Sequence, residues 1–338
     1  MFSDDLLNWY DLKRRALPWR GARDPDRIWL SEIMLQQTQT ETVKGYYARF
    51  LERFPTVSDL AAAGEDEVLK LWEGPGYYSR ARNLHAAAKA VAAAGAAFPG
   101  DAAGLKKLPG VGPYAANAIA SIAYGKPVPA LDGNQARVLT RVLAWEDAIK
   151  TPFDLLTPAT GLLSKSRPGD YNQALMDLGA TVCLPRQPRC AACPVAGHCR
   201  AFLEDAAPDY PRRVPPVPKR EQDWTILLVR CGERLLARRR PKGLLGGLYE
   251  FAAVEGHCAP VELERIMARE GFVNPRVVKR LPDSKHVFTH LVWRMQGWLA
   301  ECDGPPEGFT PLDAAALAAL PFPSALRVYR EIAGETLQ

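Results

Sequence analysis

LPGVGPYAANAIA, residues 108–120, places Gly110 and Gly112 in a tight turn that opens an alanine-rich helical run. Such a turn points free backbone N–H groups outward at the positive end of the helix dipole, which makes a phosphate site without side-chain charge. A plain inter-helix turn has the same glycines, so the pair alone does not separate the two readings. Around it, residues 1–206 carry period-3.6 apolar spacing in stretches such as DEVLKLW (66–72), broken by Pro and Gly punctuation. This region is predicted to be a mainly helical domain.

Two carboxylates, one shortly after this turn and one far before it in the chain, have chemical readings. Asp132, in PALDGNQARVL (129–139), follows an apolar stretch and precedes Gly133 and Asn134. It either caps the helix running through Val138 or faces a cleft, and capping does not exclude catalysis. Glu32, in IWLSEIMLQQTQT (28–40), is followed by Ile33, Met34 and Leu35. A glutamate dehydrated there has a raised pKa and carries a proton at neutral pH as a general acid. On this stretch alone, an exposed helix glutamate next to Ser31 is the stronger reading.

Cys183, Cys190, Cys193 and Cys199 crowd one short segment with prolines at 185, 188 and 194. The spacing is too tight for independent core positions and differs from zinc-finger pairs, whose ligands sit closer. A 4Fe-4S cluster held by four thiolates fits best. Zinc, and thiols left free or paired as a disulfide, stay open.

The 338 residues are 47% hydrophobic and 24% charged, enough for two domains with real cores and against disorder. The remaining cysteines, Cys231, Cys258 and Cys302, are scattered, which argues against a disulfide framework and for a reducing, cytoplasmic setting. No membrane association is expected, since no run approaches a membrane span and the N-terminus lacks an apolar core. A net charge of +5 permits an anionic partner without demanding one.

PDYPRRVPPVPKR (208–220) holds five prolines among basic residues, which forbids helix or central strand. An interdomain linker is therefore placed at 207–221. Residues 222–338 read as α+β: WTILLVR, LYEFAAV and HLVWRMQGWLA suit strands, VELERIMARE and SALRVYREI suit helices. Arg238, Arg239, Arg240 and Lys242 form a basic run that meets either phosphate or solvent.

PWR (18–20), SEIMLQQTQ (31–39), GYYSRARNLH (76–85), LPGVGPY, LDGN, YNQALMDLGA (171–180) and the cysteine loop 183–199 follow one another in this order. Together they closely resemble the adenine DNA glycosylases of the MutY type, over nearly the whole chain. The N-terminal part is similar to the helix-hairpin-helix glycosylase superfamily, while GLLGGLYEF (243–251) and VFTHLVW (287–293) are similar to that family's C-terminal Nudix-like domain. The resemblance implies a mainly α helix-hairpin-helix domain with an iron-sulfur loop, followed by an α+β Nudix-like domain that recognises 8-oxoguanine.

It also implies roles. Glu32 would protonate N7 of an extruded adenine and Asp132 would stabilise the sugar cation, the two-carboxylate logic of glycoside hydrolysis. Asn134 and Tyr114 would support the aspartate and the transition state. Tyr114 stands where strand-cleaving relatives carry lysine, and tyrosine forms no Schiff base, so a monofunctional enzyme is expected. Gln37 and Tyr77 would intercalate; Trp19, Arg20 and Leu35 would line the adenine pocket; Gly110 and Gly112 would meet the backbone. Phe288, Thr289 and His290 would read the opposite base, with threonine where the family has serine. A second departure is Gly74-Pro75-Gly76 before Tyr77, a stiffer turn than the family's GLGYY. Each of these residues also has an ordinary reading as core, turn or surface.

The implied partner is double-stranded DNA containing adenine opposite 8-oxoguanine or guanine, bound by a monomer. Rival readings are a glycosylase for oxidised pyrimidines and a non-catalytic iron-sulfur DNA-binding protein. Nucleotide hydrolysis is disfavoured because ELERIMAREGF lacks the carboxylate set of a working Nudix helix.

Overall fold

The computed structural model describes residues 1–212, 218–241 and 243–337. The middle of the proline-rich linker, 213–217, and Lys242 of the basic run lie outside the described residues. The chain divides into two compact units, one of Met1–Ala62 with Asn83–Pro216, the other of Ala63–Arg82 with Val217–Gln338.

The helical elements run α1 (Phe2–Lys13), α2 (Pro25–Leu35), α3 (Thr40–Arg53), α4 (Val57–Ala62), α5 (Glu65–Leu71), α6 (Ser79–Ala93), α7 (Ala102–Leu105), α8 (Pro113–Tyr124), α9 (Gly133–Leu143), α10 (Leu156–Leu162), α11 (Pro168–Thr181) and α12 (Arg200–Leu203). In the first unit a continuous core joins Leu6 and Tyr10 of α1 to Leu139 of α9 and Leu175 and Leu178 of α11. Helix α11 is buried over nearly its whole circumference, Tyr171 to Gly179. Its buried polar side chains are paired: Asn172 Oδ1 accepts from Ala130 N at 3.0 Å and Nδ2 donates to Val128 O at 2.9 Å, while Asp177 pairs with Arg15 and Arg20. Gly179 lets α11 approach the turn that carries Asp132: a Cβ there would sit 2.8 Å from Asn134 Cβ.

Helices α7 and α8 with their intervening turn form the hairpin read from LPGVGPY. Pro113 is the first residue of α8, Gly112 is its N-cap, and Gly125 closes it in the left-handed region. Gly110 has φ +74°, and a Cβ on it would lie 2.6 Å from Asn83 Cβ. Gly110→Ala therefore meets backbone strain and a clash together, and is expected to destabilise the protein by about 1–3 kcal/mol. Gly112, with φ −79° and nothing within 4 Å of a new Cβ, is the control. Chemical denaturation of both alanine variants should show a fall in midpoint much larger for Gly110.

The second unit is built on strands β1 (Arg220–Cys231), β2 (Arg234–Arg239), β3 (Tyr249–Glu250), β4 (Ala252–Glu255), β5 (Arg276–Val287), β6 (Leu291–Glu301) and β7 (Phe309–Leu312), with α13 (Pro260–Arg269), α14 (Ala314–Ala319) and α15 (Arg327–Thr336). The sheet order is β3-β2-β1-β6-β5, with β4 on β1 and β7 on β2. Strands β1 and β6 are parallel and central, and the run ILLV of β1 is buried on both faces. Ile226, Leu228 and Met295 pack with Tyr329 of α15 on one face. Leu227 and Val229 pack with Leu263 and Met267 of α13 on the other.

A boundary at residue 206 misses one segment. Residues 63–82 belong with the sheet: Tyr78 Oη donates to Phe322 O at 3.2 Å, Arg330 is paired with Glu73, and Arg239 Nη2 donates to Asp66 Oδ1 at 2.7 Å. The helical periodicity of this segment is correct, but periodicity carries no address for its packing. The C-terminal boundary also shifts, since β1 already begins at Arg220, inside the span read as linker.

Candidate active site

Helix α2 starts at an Asp24 N-cap, whose side chain accepts from Asp26 N at 3.0 Å, with Pro25 at the first helical position. This register turns Ile28, Trp29, Ile33 and Glu32 inward, and Glu32 is only 4% exposed. The exposed-glutamate reading is thereby corrected; a four-letter neighbourhood does not say which face of a helix is covered. Tyr114 Oη, on the second residue of α8, donates to Glu32 Oε2 at 2.7 Å. Burial dominates and raises the Glu32 pKa; the Tyr114 hydrogen bond and Arg20 pull it back, and Asp132 pushes it up. The Tyr114 hydroxyl is held well above its ordinary pKa by burial and the adjacent Glu32, so it remains a donor.

Asp132 is both cap and cleft carboxylate. As N-cap of α9 its Oδ1 accepts from Gln135 N at 2.7 Å, while Oδ2 accepts from Asn134 Nδ2 at 3.4 Å. Burial raises its pKa, opposed by these backbone and side-chain donors and by Arg137. Asn134 is itself fixed: its Oδ1 accepts from Arg137 Nη2 at 2.9 Å, and Arg137 also donates to Gly179 O at 2.6 Å and Cys183 O at 2.9 Å. Asp132 thus has more ionised-state partners than Glu32, which has one hydrogen bond in a drier site. The environments favour a proton on Glu32 and a charge on Asp132.

Both carboxylates border one cavity of about 680 Å³. Its wall includes Trp19, Arg20, Leu35, Gln37, Gly112, Tyr114 and Asn134, so the first unit assembles nine of the sequence candidates on one concavity. Trp19 is buried with its ring edge-on to Tyr47 at 5.4 Å. Gln37 lies just past α2, exposed, with φ +57°. A non-glycine residue in that region is strained, and such strain gathers at functional sites. Gly110 supports the hairpin without lining the cavity.

Several residues escaped the sequence reading. Asp177, on α11 and fully buried, binds Arg20 Nη2 at 2.9 Å and Arg15 Nη2 at 2.8 Å, positioning both arginines at the cavity. The signal was present as a lone acid inside the apolar run NQALMDLGA. Arg137 and Arg141 on α9 were likewise hidden, although two buried arginines one turn apart imply buried acceptors.

Arg141 donates to Cys183 Sγ at 3.2 Å, to Leu184 O at 2.7 Å and to Pro185 O at 2.9 Å. Cys183, Cys190, Cys193 and Cys199 border one small pocket with Arg141, and all four are free thiols. Among the described residues no group of three or more His, Cys, Asp or Glu side chains gathers around a single metal-ion position. Burial pushes the Cys193 thiol up to about 11, and its cysteine neighbours add to this. Four sulfurs bordering one apolar pocket need positive charge to ionise, and a bound metal centre would supply it. The donor set fits such a group.

In the second unit, Tyr77, Phe288, Thr289 and His290 border a separate cavity of about 510 Å³. Residues 288–290 form the turn joining β5 to β6. Phe288 packs edge-on against Trp293 at 4.9 Å, and the hydroxyls of Tyr77 and Thr289 are hydrogen-bonded at 2.5 Å. The methyl of threonine does not prevent that bond. Tyr77 has φ +51° and is 45% exposed, between Gly76 at φ +72° and an Arg80 guanidinium 5.4 Å from its ring centroid. Pro75 leaves an exposed, strained aromatic in place. The basic run is committed internally: Arg238 and Arg240 pair with Glu250, and Arg239 with Asp66.

Residues 30–157 match the HhH-GPD superfamily of base excision DNA repair proteins, and residues 224–331 match a NUDIX domain. A mouse adenine DNA glycosylase is 36% identical over 372 residues, covering 92% of this chain and 72% of its own. The human one is 37% identical over 354 residues, covering 86% of this chain and 65% of its own. For the Arabidopsis thaliana one the figures are 39% over 296 residues, 74% and 46%. The chain thus spans about half to three quarters of these relatives' lengths. A solved thermostable thymine-DNA glycosylase is 30% identical with a TM-score of 0.56, over 60% of this chain and 95% of that one. An endonuclease III–DNA complex, at 23% identity and a TM-score of 0.52 over 60% of this chain and 94% of that one, shares the fold.

Proposed function

Because the chain belongs to the adenine DNA glycosylases, we propose that it removes adenine from duplex DNA, where the base faces 8-oxoguanine or guanine, to begin base excision repair. The observation that carries this reading is the single cavity bordered by a buried Glu32, held by Tyr114, and an N-cap carboxylate, Asp132.

An adenine flipped from the stack enters between Trp19, Leu35 and Met176, where stacking and apolar contact offset the few kcal/mol of unpairing. Glu32 delivers its proton to N7 and the glycosidic bond lengthens. Asp132 stabilises the positive charge that develops on the sugar, and water completes the hydrolysis. Gln37 in the first unit, and separately Tyr77 in the second, act as intercalating wedges, each exposed and each already in the left-handed backbone region. Phe288, Thr289 and His290 read the opposite base. Gly110 and Gly112 hold the hairpin against the DNA backbone.

Cys183, Cys190, Cys193 and Cys199 hold a 4Fe-4S cluster, a reading supported by four thiols that border one pocket and by the Arg141 N–H at Cys183. When bound, the cluster supplies a charged brace that fixes the loop against α9. The enzyme acts as a monomer in the cytoplasm. No helix among the described residues is long and apolar enough to cross a membrane.

Single-turnover cleavage of duplexes carrying adenine opposite 8-oxoguanine, guanine or thymine, developed with alkali, tests the assignment. A thymine·guanine duplex belongs in the set, because one solved relative is named for thymine. Cleavage confined to adenine opposite 8-oxoguanine or guanine is expected. Release of thymine alone, or of no base, would overturn it. With tyrosine at 114, borohydride should trap no covalent adduct and strand breaks should require alkali; a trapped adduct at high yield would remove the monofunctional reading.

A further inference from the structure

Cys231 and Cys302, 71 residues apart in sequence, are brought side by side by the parallel pairing of β1 and β6. The register sets Arg230 opposite Glu301, and Cys302 N donates to Arg230 O at 2.9 Å, so the next residues on each strand are neighbours. Their faces agree. Arg230 pairs with Glu301 on one side of the sheet, while Cys231 and Cys302 both join the core formed with α13, beside Val229 and Ala300. Adjacent strands are about 4.8 Å apart, inside the Cα separation a disulfide tolerates. Burial first, and then the neighbouring Cys231 thiol, lift the Cys302 thiol to about 11. Cys302 is 5% exposed, whereas Cys231 is half-buried beside the β1–β2 turn and is the one solvent reaches more readily.

We propose that Cys231 and Cys302 form a redox pair: a peroxide oxidises them to a disulfide that ties the ends of the two central strands of the C-terminal unit. The Cys231 thiolate attacks one peroxide oxygen and the O–O bond breaks, giving a sulfenic acid and a hydroxide that leaves as water with the proton Cys231 released; the Cys302 thiol then attacks that sulfur, the S–S bond forms, the S–O bond breaks and the hydroxyl leaves with the Cys302 proton as a second water. Two thiols lose two protons and two electrons, and one hydrogen peroxide becomes two waters. Because a protonated thiol is a poor nucleophile, linkage quickens as pH rises and the thiols ionise.

Neither cysteine lies at the proposed cluster or in the cavity holding Glu32, so the modification is read out apart from adenine excision. Cluster-loaded full chain is treated with hydrogen peroxide at pH 7 and pH 9, then digested without reduction and mapped by mass spectrometry. A Cys231–Cys302 linked peptide is expected, formed faster at pH 9, lost on dithiothreitol and absent in Cys231→Ser and Cys302→Ser. The oxidised protein should also unfold about 5 °C or more higher than the reduced one. Over-oxidation of Cys231 to sulfinic acid without a link, or linkage of Cys231 to Cys258 instead, would overturn the pairing.

Discussion

Glu32→Gln is expected to slow single-turnover adenine excision by about 10²–10⁴-fold, the span that a positioned general acid contributes. Glutamine keeps the length and can still accept from Tyr114, so the 2.7 Å contact and the packing of α2 should survive. What disappears is a proton that can leave. Duplex affinity should stay within a few-fold, because Glu32 is buried in the cavity wall rather than facing phosphate. A fall in rate with unchanged affinity, read from burst kinetics and from gel-shift titration at fixed salt, separates loss of chemistry from loss of binding. Equal rates in wild type and variant would remove Glu32 from the mechanism.

The same residue fixes a direction for pH. Burial raises the folded pKa of Glu32 above its unfolded value. The native state therefore holds that proton more tightly, and the stability linked to it is complete below the unfolded pKa and lost as pH rises through the folded one. Excision should decline over the same upper limb, since only protonated Glu32 is an acid. Glutamine cannot titrate, so the variant should lose this limb and unfold at a higher temperature than wild type on the alkaline side.

How much of this was legible depended on whether a residue's meaning was local. The hairpin turn, the cap at Asp132, the apolar run that became β1 and the crowding of four cysteines are short-range patterns, and sequence supplied them. Family motifs added Glu32, Tyr114 and Asn134, all of which reach one cavity. What sequence could not supply is addressed packing. Nothing in EDEVLKLW says that residues 63–82 join a sheet that begins more than a hundred residues later. Asp177 looked like one acid in a helix until two arginines were found on it. Cys231 and Cys302 looked scattered because strand register, the quantity that pairs them, is set by the whole sheet.

Asp132→Asn should be nearly as damaging, slowing excision by about 10²–10³-fold, the scale set by removing one preorganised stabiliser of transition-state charge. Asparagine caps a helix as well as aspartate does, so Gln135 N keeps an acceptor and α9 keeps its start. The α9 arginines that reach Cys183 then stay in place, and the absorbance of the proposed cluster should match wild type. Asp132→Ala removes charge and cap together; it should lose about 1 kcal/mol of stability as well. Comparing the two divides the residue's roles: equal excision rates in Asn and Ala variants, with only Ala less stable, assign catalysis to the charge. The pH profile gives a second reading. Burial raises the Asp132 pKa, so wild-type excision should fall as pH drops through that value and the ionised form is lost. The Asn variant, slow at every pH, should show no such acid limb; its persistence would place the titrating group elsewhere.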